Sequence, residues 1–502
     1  MSKTSLKKNT IANYLGQFYN MFIGIAILPA YMTYLGAEAF GLIGFFTMLS
    51  AWMMLLDVGL SATISRQSAS LKHSLEGMLE FKQILRSVES VFLVIALIIA
   101  IGVWSADNFI SNTWLNIEVL DKNEVAYCIS LMGIMIGFKW IVGLYKGAIN
   151  GFEQQVWINI YGISINSLKF IGGFILVKYI SQSPSSYFEY QLVIGIIELL
   201  VIHNKVYKIV PKSENFIMPS VIMLKKIMPF ALGIAYTSGI WIVLTQIDKL
   251  LLSNILPLTE YGYFTLVAVI VSGMAVLSGP IGTAVQPRMT SLISTNKQDE
   301  VIRLYKKATQ FVSVIGFATA GTVAVFSTEL LYAWSGNMEA ALWAGPVLFW
   351  YALGNGLLMV LAFQYYLQFA HGNLKYHIWG NTLFGFIQII AMVIAVYTYS
   401  AIGVAITWFA LQAIFLLVWP AYIHSKFAKG IHKEWMLKDV LPAMVSTIVV
   451  LLGFKLLNLD LLSFGRVELF ALLFCIGGVV LGINALVAKD TRKMILKRFG
   501  RR

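Results

Sequence analysis

Lys139 and Lys169 are the residues of this 502-residue chain whose type and position most invite chemistry. Each lies inside an apolar stretch of span length, at 125–144 and 156–177 respectively. A basic residue at the bilayer centre costs about 2.5 to 3.5 kcal/mol on insertion scales, so it usually faces a cavity or a partner. The first stretch runs inward as a helix ending near 144 to 150 and the second returns outward from about 156, and at about 1.5 Å of rise per residue both ammoniums lie very roughly 15 to 20 Å from the inner boundary. Two desolvated cations at one depth repel unless a hydrated cavity, a carboxylate or an anionic ligand lies beside them. One reading is an anion-binding site. The other pairs the lysines with Glu89 in 84–104 or Glu198 in 187–202, or lets each snorkel towards water.

Asp248 and Lys249, within Thr245-Gln246-Ile247-Asp248-Lys249, stand near the outer third of the stretch 228–256. Successive helical residues point about 100° apart, so the two need not pair directly. Asp248 with Lys249 is a candidate for gating or for binding a coupling ion; interfacial anchoring is the alternative. Asp57 closes the stretch 40–60, Arg66 follows it, and Arg288 follows 261–285. Arginines at an inner cavity mouth suit bidentate capture of phosphate, with topological anchoring as the competing reading. Asn13, Gln17 and Asn20 share one helical face, and Asn159 and Asn166 lie two turns apart. Such stripes line a wet cavity or join helices by hydrogen bonds.

Other chemistry finds no support. The six His residues lie in or beside inner loops without HExxH spacing, and Cys128 and Cys475 both fall inside spans, where they read as small buried hydrophobes. Neither a metal site, a disulfide framework nor a cofactor is implied. The absence of GxxxxGK[ST] removes the usual cradle for ATP phosphates.

The elements that must position these residues are transmembrane helices. The hydrophobic fraction is 58%, charged residues make up 12% and the mean hydropathy is +0.77, whereas a soluble domain is roughly a quarter charged. Fourteen apolar stretches are long enough to span: 11–33, 40–60, 84–104, 125–144, 156–177, 187–202, 228–256, 261–285, 308–334, 341–369, 378–397, 402–423, 440–457 and 467–486. Threaded with the N-terminus inside, they leave 30 of the 37 Lys and Arg on the inner side. Only Lys122, Lys178, Lys249, Lys455 and Arg466 fall outside, which is the bias that orients membrane insertion. Lys146 counts with the inner loops. The expected fold is all-α and polytopic, with both termini cytoplasmic. The net charge of +13 then reports topology and attraction to anionic lipids, not nucleic-acid binding. The first apolar run is span-length and lacks a small-residue cleavage site, so no cleavable signal is expected.

No loop exceeds about 25 residues, a length too short for an appended soluble domain. The loop 205–227, with Pro211, Ser213 and Pro219, separates an N-lobe of helices one to six (1–204) from a C-lobe of helices seven to twelve (228–424). Helices thirteen and fourteen and a basic tail occupy 425–502. Sliding the chain by 221 residues superposes Phe40-Gly41 on Tyr261-Gly262 and Ser70-Leu71 on Ser291-Leu292, consistent with a duplicated six-helix unit. Pro29, Pro229, Pro280 and Pro346 are positioned to bend spans.

Leu35-Gly36 followed by Phe40-Gly41, Asp57-Val58-Gly59-Leu60-Ser61 with Arg66, Gln246-Ile247-Asp248-Lys249-Leu250-Leu251-Leu252-Ser253 followed by Tyr261-Gly262, and Pro287-Arg288 together carry a resemblance. With these motifs the chain resembles the Wzx-type lipid-linked oligosaccharide flippases of the multidrug, oligosaccharidyl-lipid and polysaccharide exporter (MOP) superfamily. The resemblance implies two six-helix lobes around a cavity that opens alternately to each side of a bacterial inner membrane. It implies a substrate of undecaprenyl-pyrophosphate-linked glycan, such as an O-antigen or capsule repeat unit, and association with anionic lipids and other polysaccharide-assembly proteins. Lys139 and Lys169 would attract the pyrophosphate, Arg66 and Arg288 receive it, and Asp248, Lys249 and Asp57 serve gating or ion coupling. Lipid II flippases are the near alternative: they share a fourteen-span layout, although Asn13, Gln17 and Asn20 stand where basic residues are expected in that branch. Drug exporters of the superfamily favour acidic pockets. A membrane glycan polymerase or acyltransferase would need a catalytic residue in a substantial outer loop, and the only such loop, 105–124, holds no His.

Overall fold

The computed structural model describes residues 3–57, 59–212 and 217–493. Val58 of the Asp-Val-Gly motif, Ser213 of the loop 205–227 and the basic tail beyond Lys493 lie outside the described residues. All regular structure among the described residues is helical, as a lipid environment that cannot satisfy backbone polar groups requires. Twelve helices are long and apolar enough to cross a membrane, so the chain is a multi-pass membrane protein. Two features separate this number from the fourteen expected stretches. The stretches 378–397 and 402–423 run into one 53-residue helical segment, interrupted at Ser400 (φ 53°, ψ −143°). The helix over 187–202 carries Glu189, Glu198, Lys205 and Lys208 and falls outside the twelve by its composition.

The chain forms two compact units, Met1–Gly262 and Tyr263–Arg502. The first contains α1 (Lys3–Leu35), α2 (Ala37–Met53), α3 (Leu60–Leu71), α4 (Leu75–Phe109), α5 (Lys122–Gly151), α6 (Gln155–Ser167), α7 (Gly173–Tyr179), α8 (Pro184–Ile209) and α9 (Val221–Ile255). Side-chain oxygens open several of these helices, satisfying amides that have no partner within the helix. Ser74 accepts from Gly77 N (3.0 Å), Asp121 from Asn123 N (3.2 Å) and Ser220 from Met223 N (3.5 Å), and Ser183 precedes Pro184 in the first turn of α8.

Helix α5 is the central element of this unit, packed against α3, α4 and α8. Its contact with α3 depends on small residues. Gly147 and Gly151 lie one turn apart, and a Cβ at either would run into the backbone of α3, at Ser61 O and Ser65 O. Small-xxx-small spacing of this kind lets membrane helices approach backbone to backbone. Gly59 (φ 68°) turns the chain into α3 and presses against Ala231 O and Ile234 of α9. Gly41 and Gly262, the glycines superposed by the 221-residue shift, allow α2 and the residues 258–262 to meet closely in the same way.

Buried Glu38 holds the loop before α5 by accepting from the amides of Glu118 (2.6 Å), Val119 (2.9 Å) and Leu120 (2.7 Å). Asn116 ties the same loop to the end of α9 through Asn254 O (2.8 Å). On the loop 205–227, helix occupies the sequence to Ile209 and resumes at Val221. Lys82 Nζ donates to Pro211 O (2.9 Å), and the amide of Ser220 donates to Ser87 Oγ (2.8 Å), fastening this connection to α4.

Most of α10 (Leu258–Ser294) lies in the second unit with α11 (Gln298–Val325), α12 (Ser327–Ser335), α13 (Met338–Ala370), α14 (Lys375–Phe427), α15 (His432–Trp435), α16 (Leu441–Leu456) and α17 (Arg466–Val487). Its core gathers Tyr305, Phe363, Leu367, Ile423 and Trp435, while Phe326, Leu469, Leu473 and Val480 form a second cluster beneath α17. Asn484 Nδ2 donates to Thr447 Oγ1 (2.8 Å) and Val314 O (3.3 Å), so α17 is bonded to both α16 and α11. Cys128 is buried, but Cys475 is exposed on α17. The reading of both cysteines as buried hydrophobes therefore holds for Cys128 alone; a helix against lipid can present a weakly polar thiol outward without penalty.

Candidate functional site

Three elements of the first unit converge on one carboxylate. Glu198 of α8 is buried, and its two oxygens are shared between two lysines: Oε1 receives Lys146 Nζ of α5 at 2.9 Å, and Oε2 is bonded to Lys169 Nζ. Lys139 lies two turns before Lys146 on α5 and so shares its face. It is exposed, and among the described residues its close aromatic partner is the ring of Phe46, 5.9 Å away. Among the described residues no carboxylate pairs with it; Lys169, Lys146 and Glu198 are the charged groups that act on it. Three ammoniums against one carboxylate leave an excess of two positive charges in a span-length setting, where an anion or water must compensate them.

A break in helical regularity positions Lys169. Between α6 and α7 the backbone forms a π-helical turn, Leu168–Gly172, which leaves carbonyls without their usual i+4 partners. Side chains of two other helices supply the missing donors. Tyr190 OH donates to Leu168 O (2.7 Å), Gln191 Nε2 to Lys169 O (3.0 Å), and Tyr31 OH to Lys169 O (3.1 Å) and Phe170 O (2.8 Å). The lysine is thereby held on a bulge supported by three side chains. Tyr161 OH secures the backbone of Glu198 at its carbonyl (2.9 Å).

Glu89, the other carboxylate considered for the lysines, is engaged elsewhere: it accepts from Tyr145 OH (2.9 Å) and Tyr207 OH (2.7 Å) and lies 4.0 Å from Arg86 Nε. The pairing with Glu198 thus applies to Lys169 but not to Lys139. Lys146, placed by sequence in the loop after a stretch ending at 144, belongs to α5, which continues to Gly151. The i, i+7 spacing of Lys139 and Lys146 was the available signal for this third cation.

The remaining candidates lie on other elements. Asp57 accepts from Ser61 Oγ (2.6 Å) and Ser61 N (3.3 Å), capping the first turn of α3. Arg66 is exposed on α3 and stacks over Phe230 at 4.3 Å. Arg288 is exposed on α10 in the second unit. Asp248 is buried and bonded directly to Lys249 (3.1 Å), whose Nζ also donates to Thr245 O (2.7 Å); the long lysine stem bends back across the angular offset between neighbours.

The amide stripes face one another. Asn159 Nδ2 donates to Asn13 Oδ1 (2.6 Å) and Asn166 Nδ2 to Asn20 Oδ1 (2.9 Å), two rungs seven residues apart between α6 and α1. Gln17, between them in sequence, is exposed. Asn159→Leu and Asn166→Leu should each lower stability by about 0.6 kcal/mol, the average for a membrane hydrogen bond. Thermal unfolding of the purified variants checks this, and unchanged stability would show that these hydrogen bonds do not join the helices.

A family model described as polysaccharide biosynthesis protein matches residues 6–293. No curated protein matches the chain. Among solved structures, the lipid II flippase MurJ in an inward closed conformation aligns with a TM-score of 0.70 at 18% identity, covering 97% of this chain and 99% of that one. An inward-facing multidrug resistance MATE family transporter of the MOP superfamily aligns at 0.62 and 14% identity, covering 82% and 95%. A MOP superfamily transporter from Pyrococcus furiosus, described as having a binding pocket of reverse polarity, aligns at 0.54 and 14% identity, covering 84% and 96%. The fold is therefore one used by flippases and transporters, and with the family match running over more than half its length, the chain belongs to the polysaccharide biosynthesis protein family.

Proposed function

We propose that this protein is a flippase that moves a polyprenyl-pyrophosphate-linked oligosaccharide from the cytoplasmic to the periplasmic leaflet of a bacterial inner membrane by alternating access. The observation that carries the proposal is the excess of two positive charges around Glu198, formed by Lys139, Lys146 and Lys169. A pyrophosphate headgroup is anionic and would be attracted by that excess, whereas a cationic drug would be repelled. Lys139 and Lys169 bind the headgroup, Arg66 and Arg288 receive it at the cytoplasmic side, and Asp248 with Lys249 contributes gating or ion coupling. On this reading fourteen helices cross the membrane. Ser400 divides α14 into two crossings, α8 adds another, and both termini are cytoplasmic, in line with the inner-side excess of Lys and Arg. The substrate is an undecaprenyl-linked O-antigen or capsule repeat unit.

A second reading, flipping of lipid II, is favoured by the likeness to MurJ over 97% of this chain, which extends through α16 and α17. Reconstitution in liposomes separates the two. Lipid-linked oligosaccharides of different glycan structure, and lipid II, are supplied with and without a proton or sodium gradient, and headgroup exposure to an external enzyme is scored. The proposal expects exposure of pyrophosphate-linked repeat units. Exposure of lipid II alone would favour the second reading, and exposure of neither would overturn both.

A further inference from the structure

Glu198 has a geometry that a helix-joining ion pair does not need. Each of its carboxylate oxygens engages a different lysine from a different element, Lys146 of α5 and Lys169 of the π-turn. The spacing of those oxygens resembles that of two oxygens on a phosphate, and they occupy the space in which an anionic ligand would have to sit to reach the same ammoniums. Lys139, beside them, is left without such a partner among the described residues. Glu198 is buried, and its backbone is fixed by Tyr161, so the carboxylate is held in place and not merely drawn in from solvent.

We infer that Glu198 is a resident counter-anion that competes with the substrate's phosphates for Lys146 and Lys169, and so determines how readily the site releases its ligand. The inference rests on the anion-site reading above. An incoming pyrophosphate docks first on unpaired Lys139, then displaces the carboxylate from Lys169 and Lys146. When the ligand leaves, Glu198 returns and no ammonium pair is stranded without an anion, a state that low dielectric makes costly. A transporter requires binding strong enough to load and weak enough to unload. Three lysines without an internal competitor would hold the headgroup in the ground state without speeding its passage.

The sign of one effect separates this role from a structural bridge. Loss of a bridge loosens the site and weakens binding; loss of a competitor strengthens it. The test titrates the purified full-length protein with inorganic pyrophosphate by calorimetry and measures transport in liposomes. Glu198→Gln is expected to bind pyrophosphate at least about tenfold tighter than the parent, the scale of one charge-assisted contact regained, and to transport more slowly. Glu198→Gln with Lys146→Gln keeps the formal charge balance and carries the same test if the single variant fails to fold; with Lys169 freed of its competitor, it should bind more tightly than the parent. Unchanged or weaker binding in both, with binding lost in Lys139→Gln/Lys169→Gln, would overturn the competition and leave the anion site standing. Pyrophosphate binding that survives in Lys139→Gln/Lys169→Gln would overturn the anion site, and the competition with it.

Discussion

Transport should fall by a factor of about 10² to 10⁴ when Lys139 and Lys169 are both replaced by Gln, with insertion and purification unaffected. Each charge-assisted hydrogen bond contributes roughly 1.5 to 3 kcal/mol, so losing two removes about 3 to 6 kcal/mol of headgroup binding. The two positions are not equivalent. Lys139 has no carboxylate partner among the described residues, so Lys139→Gln removes a cation without stranding an anion. That single variant is the cleaner functional probe and should keep or slightly raise thermal stability. Lys169→Gln leaves Glu198 with Lys146 as its remaining partner, so a modest loss of stability is expected as well. Headgroup exposure in liposomes, measured beside thermal unfolding, distinguishes the two; full transport by the double variant would remove the lysines from the mechanism.

Gly147→Leu combined with Gly151→Leu should lower the unfolding midpoint by roughly 4 to 24 °C. Overpacking costs about 1 to 3 kcal/mol per site in a well-packed core, and about 2 to 4 °C accompanies each kcal/mol in a unit of this size. The added side chains would run into Ser61 O and Ser65 O, which are backbone atoms of α3 and cannot rotate away. Helix α3 must then separate from α5, displacing Arg66 and the cap at Asp57. Gly143→Ala is the control, because its added carbon would meet only Ser61 Oγ at an ordinary 3.7 Å. Thermal unfolding in detergent reads both variants. A double variant as stable as the parent would show that α3 does not depend on close packing against α5.

Much of the architecture is legible because bilayer physics leaves few choices. A run of about 20 apolar residues must be helical in lipid, and the helices found at 84–104, 125–144 and 156–177 follow from that constraint alone. Boundaries were less legible. Helices α4, α5 and α9 continue well beyond their apolar stretches, because residues outside hydrocarbon can prolong a helix that is already nucleated. For that reason Lys146, charged and close to the end of an apolar run, reads from sequence as an inner-loop residue although it belongs to α5.

The sequence by itself determined that the chain crosses a membrane repeatedly as helices and that Lys139 and Lys169 are costly there, since both follow from the length and polarity of local segments. Only the tertiary structure decided which cation is paired. Glu89 and Glu198 are similar carboxylates in neighbouring apolar contexts, yet one is taken by Tyr145 and Tyr207 and the other by Lys146 and Lys169. It likewise turned Asn13 and Asn20 towards Asn159 and Asn166, and it placed three side-chain donors on the bulge at Leu168–Gly172. Partner choice of this kind depends on the rotation and depth of one helix against another. Those quantities are settled by close packing at small residues such as Gly147, whose meaning cannot be read until the facing helix is in view.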